Sequence, residues 1–216
     1  SNVDFLARHN GLKDASEVEA IVKQAKYMVL GLGDVYLGAP CAVPVDPRHR
    51  LVAPKYNPTR TFTPEGAVGI GGSYMCIYPM ESPGGYQLIG RTVPCWNTWR
   101  DGQNTKPWLL RLFDQVSFYL VSEEELLQLR EKLEHGELDV VQSVGNFDLE
   151  GYRQLLAKTK DEVVEFKAHQ KVAQLQYIEA EAKHLGAGVG YESVEEHQEE
   201  NVVCDPKTHF LVHAEV

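Results

Sequence analysis

Basic residues are the scarce charge in this 216-residue chain: 21 lysines and arginines stand against 31 aspartates and glutamates, a formal net charge of −10. So weak a positive field excludes a broad surface for nucleic acid or anionic lipid. A small ligand or a protein partner is the better expectation. Long apolar runs are also lacking. None approaches the roughly 20 residues that cross a bilayer, and nothing resembles a signal peptide, so no membrane contact and a cytoplasmic protein are expected. Cysteine is sparse: Cys41, Cys76, Cys95 and Cys204 form no C-x-x-C pair. This removes zinc-ribbon and thioredoxin patterns and leaves reduced structural thiols. Cys204 with His209 and His213 comes nearest to a ligand set, because histidines at i,i+4 share a helical face. Since THFLVHAEV reads equally well as a strand, no metal is expected. The chain has no G-x-x-x-x-G-K-[ST], no G-x-S-x-G and no Cys-His pair that can be placed together, which speaks against P-loop and acyl-enzyme chemistry.

What is present is a 43% hydrophobic composition, sufficient for a real core. Asp14 with Glu17 has the form of a capping box, and Val18, Ile21, Val22 and Ala25 make one apolar face, so a helix is expected from Asp14 to Lys26. The apolar run Tyr27 to Leu32 follows as a buried strand, and residues 1–40 together read as a partial small α/β unit. Residues 41–121 are rich in Gly, Pro, β-branched and aromatic residues. Short runs at Ala67–Ile70, Tyr74–Tyr78, Tyr86–Arg91 and Gln115–Tyr119 are separated by turn signals, the pattern of a compact β-barrel. Residues 122–185 read as a helical extension packing on the barrel: Ser122 caps a helix ending near Gly136, Asp148 to Lys158 forms a second, and a third runs from Thr159 to Leu185. Residues 186–216, Glu-rich and poor in apolar side chains, are expected to form a flexible acidic tail. The fold class is therefore α+β.

Four polar residues stand out in the glycine-rich middle: Asp34 in GLGDVYLGAP, Arg48 and His49 in DPRHRL, and Lys55 in APKYNP. A carboxylate just after a buried strand is costly unless paired, hydrogen-bonded or reserved for a ligand. Asp34 either accepts from the N–H groups of an amide or guanidinium ligand and assists proton removal, or caps its own turn or pairs with Arg48. Lys55 either stabilises a carboxylate or enolate-like oxygen during group transfer or is a solvated lysine. His49 lies between two arginines that would depress its pKa if close, suiting a neutral hydrogen-bonding role. The run GAVGIGGSYMCIYPMESPGGYQLIGRT carries seven glycines between Gly66 and Gly90. Its G-x-G-G opens no recognisable helix, so no nucleotide site is expected in it, although N–H groups around Gly71 and Gly72 could make an anion nest. Tyr78, Tyr86 and Arg91 could shape a pocket or simply fill the core.

Four ordered segments, DVYLGAP, DPRHRLVAPKYNPTRT, GAVGIGGSYMCIYPMESPGGYQLIGRT and KPWLLRLFDQVSFYLVSEEEL, resemble the carboxyltransferase region of the urea carboxylase and urea amidolyase family. They are similar too to the KipI and allophanate hydrolase subunit 1 family, with its cyclophilin-like β-barrel. The resemblance runs from about Val3 to about Gln174. It implies transfer of a carboxyl group from carboxybiotin to a urea nitrogen, giving allophanate. Asp34 would be a substrate-binding carboxylate and Lys55 a site lysine, with His49, Gly71, Gly72 and Tyr78 as further substrate contacts. It implies partners as well: another carboxyltransferase half, a biotin carboxylase domain using ATP and bicarbonate, and a carrier holding the biotin. Met28, Met75 and Met80 lie outside any Met-Lys pair, so biotin is not expected to be attached to this chain. A non-catalytic KipI-like binding protein, an oxoprolinase-type activity, or guanidine in place of urea are the competing readings.

Overall fold

A computed structural model describes residues 1–33, 38–56, 58–96, 107–137, 142–186 and 209–215. The chain opens on a helix that the sequence reading did not anticipate, α1 (Asn2–His9). Its start is fixed by Ser1 and Asp4, each of which bonds the other's backbone end in a reciprocal cap. Helix α2 (Ala15–Gln24) follows, with the Asp14 carboxylate accepting from Ser16 N–H at 2.9 Å. Glu17 reaches one residue further back than a capping box requires and accepts from Lys13 N–H at 2.8 Å.

Val18 and Val22 turn inward from α2 into the core, and β1 (Lys26–Leu32) follows as a central strand. The main sheet has the order β7-β4-β5-β2-β1-β8-β10-β9. Its members are β2 (Pro40–Pro44), β4 (Ala67–Gly71), β5 (Tyr74–Ile77), β7 (Gln87–Arg91), β8 (Gln115–Val121), β9 (Gln142–Ser143) and β10 (His209–Glu215). A separate ribbon pairs β3 (Arg60–Thr63) with β6 (Ser82–Gly84). Strand β10 also meets β7 at His209 opposite Arg91, so the sheet curls back on itself. The result is the α+β, cyclophilin-like architecture. The boundary expected between residues 40 and 41 falls inside this sheet, since β1 pairs with both β2 and β8.

The core fills the curl. Leu6, Val22, Tyr27, Val29, Val68, Ile77 and Val116 are all buried, contributed by α1, α2 and four strands. Helix α3 (Glu123–Glu134) begins at Ser122, whose hydroxyl accepts from Glu125 N–H. It is pinned to the sheet by Arg130, which donates to Thr92 O at 2.7 Å and pairs with Glu65 at 2.8 Å. Helices α4 (Leu149–Lys158) and α5 (Lys160–Gly186) follow. The tail departs from expectation at its end: residues 209–215 form strand β10, with seven register partners on β8. In an extended strand, residues four apart such as His209 and His213 stand ~13 Å apart along the chain, unlike the same spacing on a helix; Cys204 lies outside the described residues. Among the described residues no three His, Cys, Asp or Glu side chains are grouped to hold a metal, and no helix is long and apolar enough to cross a membrane.

A buried polar cluster ties α5 to the rest. Asn10 Nδ2 donates to Leu6 O and Val52 O, Asn10 Oδ1 accepts from Val52 N–H, and Gln170 Nε2 donates to both Asn10 Oδ1 and Arg50 O. Phe166 packs on the core, and Tyr177 meets Phe5 and His9 edge-on. The opposite face of α5 carries Val164, Val172, Leu175 and Ile178, each half or more exposed. Asn10→Ala removes every bond of that cluster except the one to Arg50 O, and each buried group left unpaired costs roughly 1–3 kcal/mol. A loss of about 3–4 kcal/mol is expected in urea denaturation. Gln170→Ala, which strands fewer groups, should cost about half as much.

Candidate functional site

The segment Leu51–Tyr56 has no regular structure of its own, yet its backbone is fastened in four successive places. Val52 is held by Asn10, and Ala53 exchanges two hydrogen bonds with Gly72, at 3.0 and 2.8 Å. The carbonyl of Pro54 accepts from Gln87 Nε2 at 3.3 Å, and Tyr56 N–H donates to Gly85 O at 2.7 Å. Prolines at 54 and 58 and the apolar Leu51 and Ala53, both buried, suit such a strap across the strand ends. Lys55 is thereby presented outward from a fixed backbone, with its ammonium over the Tyr86 ring, 5.0 Å from the centroid.

Tyr86 is itself wedged. A Cβ on Gly71 would collide with its ring, so only glycine lets β4 pass so close. Behind it stands Tyr78, fully buried, edge-on at 6.4 Å between centroids, its hydroxyl accepting from Tyr86 N–H at 3.4 Å. Gly71, Tyr78, Tyr86 and Lys55 thus form one stack in which a buried tyrosine and a close-packed strand hold the aromatic platform beneath a lysine. Gly72 enters differently from the nest expected of it. Its N–H is engaged by Ala53 O, so it anchors the Lys55 strap and that donor is not available to an anion.

His49 lies at the end of a 3-10 turn, Pro47–His49, whose neighbours are α2 and α5. Arg48 there is held by Asp46 at 2.6 Å and by Glu162 of α5 at 2.7 Å. Burial, more than the flanking arginines, holds the His49 imidazole below its usual pKa; Asp46 opposes this and Arg48 adds to it. Arg50 instead spends its Nε on Pro44 O. His9 is lowered by burial too, and the Nδ1 atoms of both histidines are buried without a partner. A histidine depressed in the folded state binds its proton more readily when unfolded. Its contribution is therefore complete above about pH 6.5 and lost as pH falls through the lowered folded value. The thermal midpoint should drop on acidification from pH 7.5 to 5.5, and His49→Asn should flatten part of that slope.

Asp34 falls outside the described residues. An open cavity of about 650 Å³ lies beyond the strap, between His9, the Gly72–Ser73 turn and α5, and is lined by Lys167 and Lys171 among others. The sequence reading did not single out Arg60, whose Nε, Nη1 and Nη2 are all closed off from solvent without an acceptor. A cation in the short run RTFT gives no local hint that its partner is missing.

The class defined so far is an α+β, cyclophilin-like domain that presents a lysine on a fastened strap. Comparison with known proteins narrows this. Residues 1–110 match the family model for the carboxyltransferase domain, subdomain C and D, and the chain belongs to that family. It is 51% identical over 172 residues to the urea amidolyase of Lachancea kluyveri, a match covering 79% of this chain and 9% of that protein. It is 40% identical over 206 residues to a putative urea carboxylase of Emericella nidulans, covering 90% and 16% respectively. The crystal structure of the Kluyveromyces lactis urea carboxylase superposes with a TM-score of 0.69 at 44% identity, over 81% of this chain and 16% of that one. The chain thus spans no more than about a sixth of these relatives' length.

Proposed function

We propose that this chain is a carboxyltransferase component of a biotin-dependent urea carboxylase, in which a urea nitrogen accepts a carboxyl group to give allophanate. The carrying observation is the fastened Lys55 platform within a chain of this family, at 44–51% identity to urea carboxylase and urea amidolyase. Biotin, carried on another domain, would supply the carboxyl group. Lys55 holds negative charge on the carboxyl oxygens as the new N–C bond forms and the old one breaks. Asp34 accepts hydrogen bonds from the urea N–H groups and guides the departing proton toward the biotin nitrogen. Gly71 and Tyr78 fix the aromatic platform beneath Lys55, Gly72 fixes the strap, and His49, biased by burial toward its neutral form, contributes a hydrogen bond from the adjoining turn. The other carboxyltransferase half, the biotin carboxylase with its ATP and bicarbonate, and the carrier complete the cycle.

The test is urea-dependent loss of carboxybiotin, with guanidine in parallel, by this chain alone and then mixed with a separately produced partner half and a biotinylated carrier. Activity in the mixture that disappears with Asp34→Ala is the expected result. No turnover of either substrate by a well-folded chain in the mixture would overturn the proposal and leave a binding or regulatory role.

A further inference from the structure

Arg60 opens β3 and pairs across the ribbon with Gly84. Its side chain is partly buried, and Nε, Nη1 and Nη2 are all shut from solvent with no hydrogen-bond acceptor. Its aromatic contact is the Tyr56 ring, 5.2 Å from Cζ. A guanidinium has five N–H donors, and one ring face satisfies none of them as an oxygen would. A cation withdrawn from water without an acceptor is unfavourable and persists where the surrounding fold imposes it.

The surroundings do impose it. Tyr56 N–H is tied to Gly85 O, and the Arg60 backbone is paired with Gly84, so both ends of the short segment between them are fixed on the Gly84–Gly85 turn. A Cβ placed on Gly85 would lie 3.2 Å from Thr59, 3.4 Å from Lys55 Cβ and 3.4 Å from Tyr56 O. Lys55 and Arg60 thus flank one turn, each over a tyrosine ring, and among the described residues neither has a carboxylate partner.

We propose that Arg60 is a substrate-binding residue whose fork grips a planar carboxylate carried on nitrogen, with Lys55 as the second cation on the same group. This rests on the carboxyltransferase reading and names the group that the site holds. Arginine suits it because two parallel N–H donors match two carboxylate oxygens, whereas lysine offers a point charge. Two species share this chemistry, the N-carboxylated biotin that is delivered and the N-carboxylated urea that leaves. Arg60 makes and breaks no bond; it holds the charge in place during the exchange. The Tyr56 ring, 40% exposed, is the cover that must turn aside to admit the carboxylate.

The test uses the whole chain and calorimetric titration with malonamate, a stable methylene analogue of the N-carboxylated urea, against malonamide, its neutral counterpart. The wild-type chain should bind malonamate at least about tenfold more tightly. Arg60→Met should abolish that preference, and Arg60→Lys should retain part of it. Because Arg60→Met removes an unsatisfied cation, it should also melt at a higher temperature than wild type. Titration of N1′-carboxybiotin against biotin then shows whether the delivered species is gripped as well as the product. Absence of preference in the wild type, its persistence in Arg60→Met, or a lower melting temperature for that variant overturns the proposal. Undiminished carboxyl transfer by Arg60→Met in the mixed system would refute this role alone. An inactive wild-type mixture that still selects malonamate would refute only the reaction.

Discussion

Gly66→Ala should lose a large part of the protein's folding stability, while Gly72→Ala, another glycine at positive φ, should cost much less. Gly66 has φ +76° and Gly72 φ +59°, so an alanine carries a left-handed penalty of about 1–2 kcal/mol at either position. The difference lies in what surrounds the new methyl. At Gly72 nothing stands within 4 Å, but at Gly66 the methyl would run into the backbone carbonyl of Thr92 and come within 2.6 Å of Arg130 Nη1. Rotamer changes cannot relieve a clash with backbone. The same residue joins three strands: Gly66 N–H donates to Tyr78 O at 2.8 Å, and Gly66 O accepts from Thr92 N–H at 2.8 Å. Thr92 O in turn receives Arg130, which pairs with Glu65 and pins α3. Displacing Thr92 therefore disturbs β4, β7 and the helix together. A loss of about 4–5 kcal/mol is expected, against total stabilities of about 5–15 kcal/mol for ordinary domains. Urea denaturation of the two variants side by side is the measurement, and equal losses would show that backbone strain, not the Thr92 contact, sets the cost.

The stack at Lys55 depends on the same network. Gly71 lies at the other end of β4 from Gly66, and Tyr78 O, which Gly66 holds, belongs to the residue behind Tyr86. A disturbance at Gly66 should therefore be felt at the aromatic platform even in molecules that remain folded. Conversely, the strap carrying Lys55 is held from four directions, by α1, by the β4–β5 turn, by β7 and by the β6–β7 turn. A lysine on such a backbone has lost much of its freedom before any ligand arrives, which is how a positioned charge acts at low entropic cost.

Much of this was legible in the sequence, for identifiable reasons. Helices α2, α3 and α5 announce themselves through Asp14, Ser122 and the Thr159 region, and β1, β4, β5, β7 and β8 through short apolar runs between turn residues. Strand β2 did not, because PCAVP begins and ends in proline, and β6 did not, because SPG has no apolar residue to betray it. Helix α1 was missed because its eight residues bury only three apolar side chains, Val3, Leu6 and Ala7, too few to show a period. Lys55 could be proposed from its setting among prolines and aromatics. Arg60 could not, since what marks it is the absence of an acceptor in three dimensions. The strap's fastening was equally invisible: Asn10, Gln87 and Gln170 are ordinary polar residues until Val52, Pro54 and Arg50 are placed beside them.

Truncation after Gly186 is the second change expected to have a large effect, although the composition of the last thirty residues argues for a solvated appendage. Strand β10 lies between β8 and β9 and pairs with β8 at every position from His209 opposite Val121 to Glu215 opposite Gln115. It also brings His209 beside Arg91 of β7, the contact that curls the sheet back on itself. Removing it would expose the hydrogen-bonding edge of a seven-residue strand in which Val116 and Phe118 are core residues. Such an edge is a template for pairing with another chain. At a net 0.5–1.5 kcal/mol per backbone hydrogen bond, the shortened chain should lose on the order of 3 kcal/mol. It should also sediment as concentration-dependent oligomers where the full chain does not. The loss should show first at β8, as faster amide exchange at Ser117 and Tyr119, which alternate with Val116, the residue that faces Tyr27 of β1. A truncated chain with unaltered thermal midpoint and exchange would show that β10 adds nothing to the barrel's stability and that β8 is a sufficient edge by itself.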